Sequence, residues 1–508
     1  MLNVIPGNLT LDQLRSFYFE PTQVELNESC WAAVDESQQT VAELLKTGES
    51  IYGLNTGFGL LAKQKISGKD LAQLQLNLVR SHAAGVGEPL DQSVVRLIML
   101  LKLASLARGY SGVSRGVIEH LTALLNAGVI PVIPSQGSVG ASGDLAPLAH
   151  MSLPLIGEGR VWLPGIDISV PAQYGLDHAR LSPLELGPKE GLALLNGTQV
   201  STALALAGLF QTERVFSAAV VAGAMSIDAA KGSDTPFDPR IHTIRNHPTQ
   251  VECATMYRDL LDGSEIRASH VDCDRVQDPY SLRCQPQVMG GCLESINHAH
   301  EVLLREANAV SDNPLVFSSD KSILSGGNFH AEPVGLVADQ LAVAIAEIGA
   351  LSERRIALLI DRHLSNLPSF LVKDGGLNSG FMIPQVTAAA LVAENQHLAG
   401  PITINSLPTS ANQEDHVSMA TYAARRLTPM SHNAAAIVAI ELLAACQGID
   451  FHEPLKTSPP LETVYEAVRA LVPHYYKDRA FDEDIAAITR YVLESGELAA
   501  KPFPDRSP

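Results

Sequence analysis

"GLALLNGTQVSTALALAGLFQT", Gly191 to Thr212, runs without a single charged residue. Such a run is either a membrane span or a helix buried on every side inside a large protein. Asn196, Thr198, Gln199, Ser201 and Thr202 decide between the two, because polar side chains facing lipid are costly. The run therefore predicts a fully buried helix, and with it a bundle thick enough to enclose one. Periodicity elsewhere agrees. In "DQSVVRLIMLLKLASLARGY" (91–110) Val94, Ile98, Leu101 and Leu106 fall near a 3.6-residue period. "EPVGLVADQLAVAIAEIGALSERRIALLID" (332–361) keeps it for about eight turns, and "HNAAAIVAIELLAACQ" (432–447) reads the same way. Thr10 with Gln13 forms a capping box, and Ser458 ahead of Pro459 an N-cap. Strand-like runs are scarce; "VIPVIP" and "GRVWLPG" are short and broken by proline. The expectation is an all-α chain built on a long central helical bundle.

Composition sets the outer limits. Of 508 residues, 46% are apolar and 18% charged, enough for a large core. Lys and Arg number 36 against 55 Asp and Glu, a net charge of −19 that speaks against nucleic acid or an anionic membrane as partner. Six scattered cysteines form no C-x-x-C pair and no disulfide framework. With no basic or apolar leader at the N-terminus, this predicts a cytoplasmic protein. No repeat or low-complexity linker divides the chain, which reads as a single unit over 1–508. Within it we expect a loop-rich N-terminal part (about 1–110), a glycine-rich loop (137–150), the central bundle (about 190–450) and a C-terminal helical region (about 455–500). Glycine and proline cluster at 53–59, 134–143, 277–286, 326–333 and 401–412, the loops where chemistry is expected.

Two familiar patterns are set aside. "GFGLLA" (57–62) resembles a dinucleotide loop but follows no strand. "GVSRG" (112–116), with Ser114, resembles a hydrolase elbow but follows a helix. No His-Glu-x-x-His pair exists, and His298 and His300 point to different helix faces, so no metal site is expected.

"GSVGASGDLAPLAH" (137–150) is different. Ala141 and Gly143 flank Ser142 with the smallest side chains, which lets the backbone fold sharply on itself. The Gly143 nitrogen can then attack the Ala141 carbonyl and close a five-membered ring. Loss of water from that ring and of the Ser142 hydroxyl leaves a methylidene conjugated to an imidazolone, an electrophile that no ordinary side chain supplies. The stretch resembles the aromatic amino acid ammonia-lyases, whose Ala-Ser-Gly cyclises to 4-methylidene-imidazol-5-one (MIO). "YGLNTGFG" (52–59), "SHAAGVG" (81–87), "KEGLALLNGTQ" (189–199), "QDPYSLRCQPQVMGG" (277–291), "ANAVSDNPLVF" (307–317), "SGGNFHAEP" (325–333) and "LPTSANQEDHVSM" (407–419) are similar to that family in the same order. They are most similar to its histidine-specific branch. Region 234–273 matches less closely and the C-terminal tail hardly at all.

The resemblance implies a fumarase/aspartase-like fold and elimination of ammonia from L-histidine to trans-urocanate, the first step of histidine degradation. The MIO, formed from Ala141, Ser142 and Gly143 with no exogenous cofactor, serves as electron sink, as pyridoxal phosphate does elsewhere. Whether substrate joins it through the amine or the ring stays open. Tyr52 matches the family's catalytic tyrosine, a phenol that its site must make acidic enough to act. Arg283 suits the substrate carboxylate, with Tyr280 one turn away and Gln277 beside them. Asn196 is placed beside the MIO or the amine, Phe329 on the pocket wall, and Asp144 where it orients the loop. His82 and Glu414 supply partners for the two imidazole nitrogens; a phenyl ring would leave Glu414 buried and unpaired. The family assembles as a homotetramer whose sites draw on loops of several subunits, which suits long uncharged helices. The rival readings are a tyrosine or phenylalanine lyase or aminomutase of the same family, a Ser114 hydrolase, and an inert helical assembly protein.

Overall fold

A computed structural model describes residues 1–48, 50–51, 54–57, 66–270, 276–495 and 498. Helices dominate. The capping box at Thr10 is present, with the Gln13 amide donating to Thr10 Oγ1 (3.2 Å) and the Thr10 amide to Gln13 Oε1 (3.0 Å); it starts α1, Leu11–Phe19. α2 (Leu71–His82) and α3 (Gln92–Leu106) follow, then the short α4 (Leu145–Ser152). The uncharged run is two helices, not one. α5 (Glu190–Leu195) stops at Asn196, and α6 begins at Gln199 and continues to Ala229. Between them Gly197 takes φ +135°, a conformation that L side chains rarely adopt and that a continuous helix cannot contain. Beyond Thr212, α6 stays enclosed, and its most apolar window is wholly buried inside the chain. The expected burial is found; the expected continuity is not.

The one-turn α7 (Tyr280–Arg283) leads into α8 (Gln285–Ala307), followed by α9 (Glu332–Ile360), α10 (Leu427–Asp450) and α11 (Asp482–Glu494). α6, α8, α9 and α10 pack on one another as the central bundle, and α3 and α11 flank α6. Ser458 precedes a helix as expected, but its hydroxyl donates to the Leu260 carbonyl instead of capping it. The strands among the described residues are short. One antiparallel pair matters for the site: Val86–Pro89 pairs with Pro134–Gln136 in the register Val86 to Gln136. It ties the segment after α2 to the segment entering the glycine-rich loop.

The bundle also encloses charge. Arg355 on α9 and Glu441 on α10 are both fully buried and paired twofold, at 2.5 Å (Nε) and 2.8 Å (Nη2). Ser226 of α6 and Ser352 of α9 donate to the same carboxylate at 2.7 and 2.6 Å. Removing one member of such a set strands the other charge in a low-dielectric interior. Glu441→Gln is expected to lower unfolding stability by about 3–5 kcal/mol, read as a shift in the urea midpoint. An unchanged midpoint would show that water reaches this cluster.

Candidate active site

The glycine-rich loop is held by its own acid. Asp144 is fully buried, and its carboxylate accepts from Ser138 Oγ (2.8 Å), Thr421 Oγ1 (2.7 Å), and the Ser201 amide and hydroxyl (2.8 and 2.9 Å). It stands at the start of α4 without capping it, so it orients the loop rather than the helix. From the other side the Met419 amide donates to the Val139 carbonyl (2.8 Å), and Ser418 Oγ to the Gly140 carbonyl (2.8 Å). The Ala331 amide donates to the same Gly140 carbonyl (3.2 Å). Three distant segments thus converge on one loop.

The tripeptide fits ring closure. Gly143 has φ +77°, and a Cβ there would stand 2.4 Å from the Gly197 nitrogen and 2.6 Å from its oxygen, so only glycine can be seated so closely. The Asp144 amide donates to that same Gly197 oxygen at 2.8 Å. Asn196 Nδ2 donates to the Ser142 carbonyl at 3.0 Å, while its Oδ1 is buried without a partner among the described residues. A buried amide oxygen left unpaired beside a reactive loop is placed to accept from a ligand. Ser142 is half-buried, and its hydroxyl donates to Glu414 Oε1.

Ser142, Asn196 and Glu414 line one cavity of about 920 Å³, together with His82, Ala141 and Phe329. α2 delivers His82 at its last residue. Its Nδ1 lies 2.8 Å from the Leu78 carbonyl, which leaves Nε2 free to accept. Burial pulls the imidazole below its ordinary pKa, outweighing the opposing pull of the Leu78 carbonyl and Glu414, so the ring is neutral near pH 7. Glu414 is steadied by Thr409, whose amide donates to the Glu414 carbonyl (2.8 Å) and whose Oγ1 donates to Oε2 (2.5 Å). Phe329 is half-buried on the wall. A larger cavity of about 1180 Å³, between the end of α1 and α11, contains none of the expected site residues.

Two expectations fall elsewhere. Tyr52 lies outside the described residues. Gln277, Tyr280 and Arg283 do not reach this cavity within the chain. Asp278, in the same block, accepts from the Ser233 amide (2.6 Å) just past the C-terminus of α6, whereas Asn196 lies just before its N-terminus. A helix of that length separates the two by about 40 Å. The one-turn spacing does bring Tyr280 and Arg283 together, with the guanidinium 4.5 Å above the ring centroid. Tyr280 is nevertheless 69% exposed, presenting this pair outward.

One cluster was not foreseen. His330, Glu332 and His416 offer ligand atoms within 4.8 Å of one another, with the two imidazoles stacked at 5.7 Å. His330 and His416 line the cavity. Spacing along one helix does not reveal them, because His330 and His416 lie in two separate loops and Glu332 opens α9. Their membership in "SGGNFHAEP" and "LPTSANQEDHVSM" was the available signal. Ser114 stands at a helix start with its amide bonded to Glu190 Oε1 (2.8 Å), and no strand leads to it as a hydrolase elbow requires.

The model of the aromatic amino acid lyase family matches residues 9–470. The chain belongs to this family. It is 60% identical over 484 residues to a histidine ammonia-lyase of Desulfotalea psychrophila, covering 95% of this chain and 94% of that one. Among solved structures, the Trypanosoma cruzi histidine ammonia-lyase superposes with a TM-score of 0.92 at 39% identity, covering 99% and 95%. The phenylalanine aminomutase of Pantoea agglomerans superposes at 0.93 with 30% identity, covering 97% and 99%. The mostly helical fold is thus that of the aromatic amino acid lyases, as expected.

Proposed function

We propose that this lyase eliminates ammonia from L-histidine to give trans-urocanate. The observation that carries it is that His82 and Glu414 line one cavity with Ser142. Neutral His82 accepts through Nε2 the one N–H of a neutral substrate imidazole, and the Glu414 carboxylate accepts from a donor that bridges to the second ring nitrogen, or from that nitrogen's own N–H in the imidazolium form. Neither tyrosine nor phenylalanine can satisfy this pair, and the burial of unpaired groups penalises them. The 60% identity to a protein named histidine ammonia-lyase supports the same choice over the aminomutase alternative.

The MIO, formed from Ala141, Ser142 and Gly143, supplies an electrophile that makes the substrate amine a better leaving group. The rest of the work falls to the chain's own side chains. Asn196 Oδ1 accepts from the substrate ammonium and so fixes the amine beside the tripeptide. Tyr52, as phenolate, takes a β-proton on its oxygen and becomes the phenol, a role that rests on the resemblance. Phe329 excludes water from one wall. The carboxylate binds Arg283 of a second copy, since a chain's own Arg283 lies a helix-length away. Self-association with shared sites follows from this, and the resemblance makes the assembly a homotetramer.

The test is a near-ultraviolet assay with L-histidine, L-tyrosine and L-phenylalanine offered separately. Product from L-histidine alone is expected; product from either other amino acid overturns the specificity. Glu414→Gln is expected to lower kcat/KM for L-histidine by about 10–100-fold, the worth of a hydrogen bond to a charged group. Intact mass must show that the variant still cyclises, because Ser142 Oγ also bonds Glu414.

A further inference from the structure

α3 carries a lysine where few are found. Lys102 is 1% exposed, and its Nζ donates to the Asn196 carbonyl at 2.7 Å and the Ala193 carbonyl at 3.0 Å. No carboxylate of a described residue pairs with it, and the nearby Asp312 is taken by Lys189 at 2.6 Å. Burial pushes its pKa down to about 7; Asp312 and Asp144 oppose that fall, and Lys189 adds to it. Keeping a lysine here is costly, and leucine would suit the surrounding core better.

What the amine holds explains the cost. The Asn196–Gly197 peptide has its oxygen on Lys102, while its nitrogen lies where a Cβ on Gly143 would meet it at 2.4 Å. The same residue sends its side-chain amide to the Ser142 carbonyl at 3.0 Å. One peptide plane therefore has Lys102 on one edge and the reactive loop on the other. An amine donates to both carbonyls whether or not it carries a third proton. The helix also ends here, so the two carbonyls would otherwise lack partners.

We propose that Lys102 is a positioning residue for cyclisation, holding the Asn196–Gly197 peptide so that Gly143 is seated and the Asn196 amide is aimed at the Ser142 carbonyl. This rests on the proposed function in taking the loop to cyclise. The new bond joins the Gly143 nitrogen to the Ala141 carbonyl carbon. The Ala141 oxygen leaves as water with the protons of the Gly143 and Ser142 nitrogens. The Ser142 hydroxyl leaves as a second water with the Cα hydrogen. An intramolecular closure of this kind depends steeply on alignment, and a rotation of the supporting peptide misplaces the nucleophile.

The experiment compares the parent, Lys102→Met, which keeps the length without a donor, and Lys102→Gln, which restores an NH₂. Intact mass is followed over time after synthesis, and kcat and KM are measured on the folded fraction. The parent should be lighter by two waters. Lys102→Met should cyclise about tenfold more slowly and lose about tenfold in kcat, with KM for L-histidine within about twofold. Lys102→Gln should fall between them, and it carries the test alone if Lys102→Met does not fold. Cyclisation at the parental rate in the donor-free variant overturns the proposal, whatever its melting temperature. An unmodified parent would instead overturn the proposed function.

Discussion

A Ser142→Ala variant is expected to fold as the parent does and to lose turnover of L-histidine by on the order of 10³-fold or more. The first half follows from what the hydroxyl touches. Its one partner among the described residues is Glu414, which keeps its bond from Thr409 Oγ1 at 2.5 Å. The loop itself hangs on Asp144, with donors from Ser138, Thr421 and Ser201, and none of these involves Ser142. The second half follows from chemistry: alanine has no hydroxyl to lose, so the methylidene carbon cannot form. Two measurements separate the parts. Intact mass should differ from the encoded chain by two waters in the parent and by no more than one in the variant. Near-ultraviolet absorbance at saturating L-histidine should show no product above background. A variant that keeps a tenth of parental turnover would mean that the electrophile is not made from this serine. A variant that fails to fold would mean that the hydroxyl supports the loop in a way its single contact does not show.

Long elements were legible because their signal is redundant. The stretch 332–361 is found as Glu332–Ile360, since many apolar positions report one period and a single misread residue changes little. The break at Asn196–Thr198 was illegible for the opposite reason. Nothing on its flanks departs from a helix, and what holds it open is tertiary: Lys102 on one carbonyl and the close approach of Gly143 to Gly197. "NG" was the only local hint, and such pairs also occur within helices at modest cost. The site divides along the same line. His82 and Glu414, which the resemblance singled out and whose chemistry suits imidazole, do line one cavity. Distance was not readable. That Arg283 sits beside the last turns of α6 is set by how the chain turns after Ala229, and no spacing in "QDPYSLRC" contains it.

That separation makes the last prediction quantitative. Arg283→Met should retain the cavity around Ser142, lose the fork that binds the carboxylate, and fall by about 10–100-fold in kcat/KM. Ser142→Ala is inactive for an unrelated reason. If each site takes its loop from one chain and its arginine from another, co-assembling the two variants restores a fraction of the sites. With equal incorporation, half of the loops are intact and half of the arginines are intact, so about a quarter of the sites carry both. Activity near a quarter of parental, from two variants each far below it, is the expected result when differently tagged chains are co-expressed and the mixed oligomers isolated. If instead one chain supplied both groups, every site would keep one defect, and mixing would give only the average of the two variants. The about 40 Å run of α6 between Asn196 and Asp278 excludes that outcome for the chain as folded here, unless the bundle opens. α6 packs along α10, α9 and α8 over its length, and its side chains are almost all buried. Opening it would expose the core, so with the role proposed for Arg283 the expected result is that a second copy, not a rearranged first one, brings it to the substrate.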